Sequence, residues 1–255
     1  DAHVMYVWFD ALVNYISTLG WPSHPPQSLP AGRQGPLGQG GNSQSEFDQF
    51  WPGVQVAGKD NLRQQCAMWQ AMLMSAGIEP SRQIFIHGFV TANGQKMSKS
   101  LGNVVDPFEE VKEYGTDAIR YYLLREIPSG DDGDFSRERL EERYAELANR
   151  LGNLVGRVAA MTQKYFAGDV GGVQHDWTEL EKRLEQHISQ YDFKAYIDEV
   201  FGIVDEANEL IDQKAPFKLV KEDVEAAKHV LAEAANMIRF VARALACVIP
   251  NASEE

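Results

Sequence analysis

Apolar positions along this chain change their period near residue 135, and the change divides it in two. In the first part, short apolar runs at Val4 to Phe9, Val54 to Ala57 and Ile84 to Ile86 are separated by helix-length segments, Ala11 to Leu19 and a run reaching about Ala76. Short strands spaced by helices predict the parallel sheet of an α/β domain. Three such strands are too few for a doubly wound sheet, so this half is expected to need a partner. Further on, Asp106 is placed to cap a helix, Pro107 suits its first position, and Glu109 fits the capping-box acid. A second helical run, "TDAIRYYLLREI", ends at the turn "PSGDDGD".

From Ser136 the pattern becomes helical throughout. Leu140, Tyr144, Leu147, Leu151, Leu154, Val155 and Val158 recur at spacings of three and four, which puts them on one apolar face. Thr178 with Glu181 reads as a capping box. A pattern through Tyr196, Val200, Val204, Ala207 and Ile211 stops before Pro216, and another runs from about Asp223 to Val248 before Pro250. The expectation is a helical bundle.

Composition adjusts this picture in one place. Residues 22–45 are so rich in Pro, Gly, Gln and Ser that burial cannot offset their ordering entropy, and the segment is expected to be a disordered insertion, with a Pro-rich recognition peptide as the alternative. The expected layout is a partial α/β domain over 1–95 that contains this insertion, a connecting segment over 96–134, and a helical domain over 135–255. With 44% hydrophobic and 24% charged residues the chain is an ordinary globular protein, and a net charge of -13 excludes a bulk electrostatic grip on nucleic acid while leaving room for a local basic patch. Cys66 and Cys247 form no CxxC pair, so neither a zinc site nor a disulfide framework is expected. No membrane segment or signal peptide is expected, which makes the cytoplasm the default compartment. The abrupt opening "DAHVMYVWFDAL" leads to the expectation that the chain begins inside a domain.

The candidate chemistry lies at residues 93 to 103, "NGQKMSKSLGN". Asn93-Gly94 signals a turn and Gly102 permits an unusual backbone angle; between them stand Lys96, Lys99, Ser98 and Ser100. A loop that closes on phosphate oxygens needs such long cations, hydroxyls and backbone amides. A solvated surface turn has the same composition, and the residues alone leave both readings open. The P-loop pattern is absent.

"KMSKS", preceded by "IHGFVTANGQ" and followed by "LGNVVDPFE", resembles the second signature of class I aminoacyl-tRNA synthetases. The blocks "YVWFDALVNY", "FWPGVQVAGKDNLRQQ" and "YGTDAIRYYLLREI" resemble the methionyl-tRNA synthetase family in particular. That resemblance implies ATP-dependent activation of L-methionine to methionyl-adenylate, with Mg2+ accompanying the ATP, and transfer of the methionyl group to tRNA(Met). Lys96 and Lys99 are then the catalytic cations. Met97, Ser98, Ser100, Gly58, Asp60 and His87 become ATP contacts, and Trp8, Leu12, Tyr15 and Gln65 the methionine pocket. Relatives often carry a Phe-His pair where this chain has Gln64 and Gln65. Asn153 and Arg157, four apart on one helical face, and Phe217, where relatives often have tryptophan, are the implied anticodon contacts. Residues 134–166 hold six basic and five acidic residues, whereas 178–255 hold nine and sixteen, so RNA is expected on the first bundle helix and the proline turn.

The first signature of the class, HxGH, does not occur in the chain. The fold expectation is accordingly α/β followed by all-α: the C-terminal half of a class I Rossmann-like domain plus an anticodon-binding bundle. The chain is expected to lack the N-terminal catalytic half and to need it from a separate polypeptide. A tRNA-binding module without synthetic activity is the alternative of a different class.

Overall fold

The computed structural model describes residues 6–22, 45–92, 94–98, 100 and 102–254. The chain divides into two compact units, Asp1–His87 and Gly88–Glu255.

In the first unit, helix α1 (Val7–Ser17) buries Leu12 and Ile16, one turn apart. Strand is therefore the wrong assignment for the end of the Val4 to Phe9 run, because Val7 to Phe9 are the opening helical residues; Val4 and Met5 lie outside the described residues. Only Pro22 and Ser45 of the expected insertion are described. Ser45 caps α2 (Glu46–Phe50), accepting from Asp48 N at 3.2 Å while the Asp48 carboxylate accepts from Ser45 N at 3.3 Å. Strand β1 (Val54–Gly58) ends in a tight turn, Lys59–Asn61, followed by a wide π turn over Gln64–Trp69 and helix α3 (Gln70–Ser75). Strand β2 (Gln83–His87) pairs with β1 in parallel, from Val54↔Gln83 to Gly58↔His87. The core of this unit is small: Leu12, Ile16, Trp69 and Leu73, ringed by partly buried Trp8, Trp21 and Trp51.

The second unit opens with β3 (Val90–Ala92) and β4 (Gln95–Lys96), followed by α4 (Pro107–Tyr114) and α5 (Thr116–Glu126). Then come β5 (Gly133–Phe135) and α6 (Arg137–Glu146). Strand β3 lies between antiparallel β4 and parallel β5. Gly88 has a steric reason to be glycine, since a Cβ there would sit 2.1 Å from the Asp131 carbonyl oxygen. Asp106 caps α4 by accepting from Phe108 N at 2.9 Å, with Pro107 at the first position as expected.

A second π turn, Leu147–Gly152, separates α6 from α7 (Asn153–Phe166). The expected apolar stripe is buried only in part: Leu140, Leu154 and Val158 are buried, while Tyr144 and Val155 of the same expected face are exposed. Helices α8 (Thr178–Ser189), α9 (Phe193–Lys214), α10 (Pro216–Leu219), α11 (Val224–Leu245) and α12 (Pro250–Glu254) complete the unit. The Thr178 capping box does not form: Thr178 is already helical, and its N–H donates to Asp176 at 3.0 Å. One continuous core includes Ile197, Val204, Ile211, Leu231, Ala234 and Val241, where the long faces of α9 and α11 meet.

These observations correct the expected fold class. In place of three strands of a half domain there are five among the described residues, in two small sheets with their own helices, and an all-α bundle follows.

Candidate functional site

The lysine-rich loop belongs to the second unit and is built on the β3–β4 hairpin, with Thr91 opposite Lys96. Gly94 and Gly102 adopt φ of +70° and +65°, a region that favours glycine, and so bracket the loop with two sharp changes of direction. Asp134 of β5 fixes the near end: its Oδ1 accepts from Gly94 N at 2.7 Å and from the Thr91 hydroxyl at 2.7 Å. The Gly94 amide, then the Thr91 hydroxyl, hold the Asp134 carboxyl below its ordinary range. Asn103 closes the far end, accepting from Ser98 N at 2.8 Å and donating to the Lys96 carbonyl at 3.2 Å.

Within that frame Met97 packs against the cluster of Tyr122, Phe135 and Leu140, which turns its neighbours outward. Lys96 is exposed, with Nζ 5.3 Å from the Phe89 ring centroid, and forms no ion pair among the described residues. Ser98 and Ser100 share a hydroxyl–hydroxyl hydrogen bond of 2.7 Å. Lys99 lies outside the described residues. The loop thus presents an exposed ammonium and two hydroxyls on a peptide pinned at both ends, which is a usable anion-binding arrangement. Asn103 and Asp134 were missed by sequence reasoning; the "LGN" after the lysines was the one signal for Asn103.

The first unit holds the remaining candidates. Gly58, Asp60 and His87 converge at the C-terminal ends of β1 and β2: a Cβ on Gly58 would lie 2.8 Å from Asp60 Oδ1 and 3.7 Å from the His87 ring. Ligands enter parallel α/β sheets at this edge. Trp8, Leu12 and Tyr15 recur at spacings of four and three along α1, but they do not form one exposed wall. Leu12 is core, Trp8 is half-buried against that core, and Tyr15 is exposed at 38%. The Tyr15 hydroxyl accepts from Gln65 Nε2 at 2.8 Å, and its ring lies 6.1 Å from that of Trp69. Gln65 is buried at 3%, and its Oε1 has no hydrogen-bond partner. The π turn is what brings Gln65 inward.

On the bundle, Asn153 and Arg157 are both exposed on α7. The Arg157 guanidinium bonds Asp212 near the end of α9, which places it by the proline turn that carries Phe217. Phe217 is 46% exposed, with Lys218 Nζ 5.6 Å from its ring centroid. The Arg157–Asp212 pair is a link over 55 residues that spacing does not reveal. No group of three or more His, Cys, Asp or Glu is placed to hold a metal ion among the described residues, and no described helix is long and apolar enough to cross a membrane.

Comparison with known proteins divides the chain near the end of α7 rather than between the two compact units. The family model of class I (M) tRNA synthetases matches residues 1–159, and that of the anticodon-binding domain of methionyl-tRNA ligase matches residues 168–255. The methionine–tRNA ligases of Clostridium acetobutylicum and Caldanaerobacter subterraneus are 36% and 37% identical over 269 and 263 residues, 100% and 98% of this chain. The chain spans 39% and 38% of their length. Methionyl-tRNA synthetase of Mycobacterium tuberculosis, solved in complex with methionyl-adenylate, superposes with a TM-score of 0.85 at 32% identity, covering 99% of this chain and 49% of that one. These matches overturn the expectation of a C-terminal portion carrying only half a catalytic module: the synthetase model is met from residue 1 to 159, and the anticodon model comes directly after it. The chain belongs to the class I tRNA synthetase family, methionine branch.

Proposed function

We propose that this chain serves the methionine–tRNA ligase reaction, activating L-methionine with ATP and passing the methionyl group to tRNA(Met). In the first step a methionine carboxylate oxygen bonds to the α-phosphorus of ATP while the bond to pyrophosphate breaks. The nucleophile comes from the substrate, so the protein's task is positioning and charge stabilisation. Lys96 and Lys99 would offset charge on the departing phosphates, as Mg2+ accompanying the ATP would, with Ser98, Ser100 and the backbone about Met97 beside them. Gly58, Asp60 and His87 would receive the adenosine end. Trp8, Tyr15 and Gln65 would meet the methionine side chain, with Leu12 supporting them from the core; a thioether suits aromatic surroundings. On the bundle, Asn153 and Arg157 would hydrogen-bond anticodon bases and Phe217 would stack on one.

The observation that carries this reading is the pinned loop that leaves Lys96 exposed and without an ion pair among the described residues. Methionine-dependent ATP–pyrophosphate exchange tests it. Lys96→Ala is expected to lower the exchange rate by about 100-fold, the scale seen when one transition-state contact is removed. An unchanged rate would refute the loop's role. RNA binding is separate: Arg157→Ala and Phe217→Ala should each weaken tRNA(Met), and undiminished affinity in both would remove the bundle from recognition.

A further inference from the structure

A second cleft on the bundle has the composition of a ligand site and is used by none of the residues above. It has a volume of about 290 Å³ and lies between the 173–177 segment and α11. Three rings form one of its walls in a continuous stack: His175 on Trp177 at 5.0 Å and 23°, then Trp177 on Phe240 at 4.4 Å and 26°. Beside Phe240, α11 lines the cleft with Asn236, Arg239 and Arg243, the pairs 236/240 and 239/243 each standing four residues apart on the helix. Two of its polar atoms, His175 Nε2 and Asn236 Oδ1, are buried without a hydrogen-bond partner. Unpaired buried groups are costly unless something else completes them.

The two permanently charged residues that line the cleft are both arginines. Arg239 is exposed and pairs with no carboxylate among the described residues. Arg243 bonds Glu181, but that pair is 68% and 52% exposed, so it is weakly held and open to exchange for a better anion. Glu233 is the other carboxylate nearby, 4.0 Å from His175 Nε2. Stacked rings, two guanidiniums and an amide acceptor without a donor match the parts of one nucleotide: a flat base, a phosphate and an exocyclic amino group.

The cleft is separate from the anticodon candidates. The Tyr196 hydroxyl donates to the Ala244 carbonyl at 2.7 Å, setting this end of α11 beside the start of α9, whereas Arg157 bonds Asp212 at the other end. Asp212 stands sixteen positions beyond Tyr196 on α9, about 24 Å at the helical rise. We propose that this cleft binds a nucleotide, its base against the His175–Trp177–Phe240 wall, its amino group on Asn236 Oδ1 and its phosphate on Arg239 and Arg243. The same chemistry is offered by an unpaired residue of an RNA strand and by a free mononucleotide.

Isothermal titration of the whole chain with AMP, with IMP and with a six-residue oligoadenylate distinguishes the two sources. Arg239→Ala and Arg243→Ala should each weaken the bound probe at least tenfold with the helical circular dichroism unchanged. AMP should bind better than IMP, which has an acceptor where AMP has its amino group, and Asn236→Ala should abolish that preference. Tight oligoadenylate with weak AMP identifies RNA as the occupant, and the reverse identifies the free nucleotide. No saturable binding of either, or binding indifferent to both arginine substitutions, overturns the proposal. Arg157→Ala and Phe217→Ala leave this cleft intact, so loss of tRNA binding there and loss of nucleotide here are separate failures.

Discussion

Asp134 shows how one carboxylate sets the geometry of a loop it does not belong to. Its Oδ1 collects two hydrogen bonds of 2.7 Å, one from the Gly94 amide and one from the Thr91 hydroxyl, so the charged form is favoured in the folded chain. A carboxyl whose folded pKa is depressed contributes stability that is present above the unfolded value of about 3.9 and is lost as pH falls through the lower folded value. The hairpin beneath Lys96 should therefore be insensitive to pH between about 5 and 7 and loosen only in acid, below about 4. Amide hydrogen exchange at Gly94, corrected for its intrinsic pH dependence, checks this. Asp134→Asn should remove the acid transition, since an amide keeps an acceptor but cannot be protonated there. A transition that persists in Asp134→Asn would assign it to another group.

At the scale of elements, Glu146 ties α5, α6 and α9 together from the end of α6. Burial alone would push its carboxyl up; the hydrogen bond from Arg143, the charge of Arg125 and the Tyr121 hydroxyl outweigh that and hold it below the ordinary range. Arg143 Nη1 donates at 2.6 Å, the Tyr121 hydroxyl at 3.0 Å, Arg125 lies at 3.2 Å, and Arg150 adds a fourth bond. Arg125 is only 11% exposed and also bonds Asp198 of α9 at 3.0 Å. Glu146→Ala leaves a buried guanidinium short of charge, which costs about 3 kcal/mol. The urea midpoint of the bundle should drop accordingly, while Arg183→Ala, which removes a half-exposed pair with Glu199, should shift it little. Equal effects would mean that burial at Glu146 carries no extra weight.

Elements were legible where burial follows one period. The α9 stripe from Tyr196 to Ile211 is buried throughout, and α11 ends close to where Pro250 implied. Legibility failed where non-periodic geometry decides. Strands β3, β4 and β5 are two or three residues long, too short to carry an alternation, and β3 and β5 are held by pairing with each other across the intervening helices. The π turns shift a helical face by a residue without a sequence mark. Val7, Trp8 and Phe9 have strand propensity, yet the next buried positions, Leu12 and Ile16, are a helical turn apart, and tertiary burial overrode propensity. In the site, the loop stood out by composition, whereas its supports, Asp134 and the Arg157 partner Asp212, act from 40 and 55 residues away.

For the whole molecule, the two units differ sharply in what they bury. The first has four fully packed residues at its core, Leu12, Ile16, Trp69 and Leu73, whereas the second centres on a continuous cluster threaded through α5, α7, α8, α9 and α11. Cooperative stability follows the apolar area each unit removes from water, so the units should not unfold as one. Four of the five tryptophans, Trp8, Trp21, Trp51 and Trp69, belong to the first unit, and Trp177 to the second. Most described helical residues, by contrast, lie in the second. Tryptophan emission therefore reports mainly on the small core and the 222 nm dichroism mainly on the bundle. In a urea titration the emission should change first, with a lower midpoint, and dichroism should follow in a steeper transition. Glu146→Ala should then bring the two midpoints together by lowering only the second. Coincident curves in the unsubstituted chain would show that the small unit borrows its stability from the larger one, and would rule out independent unfolding.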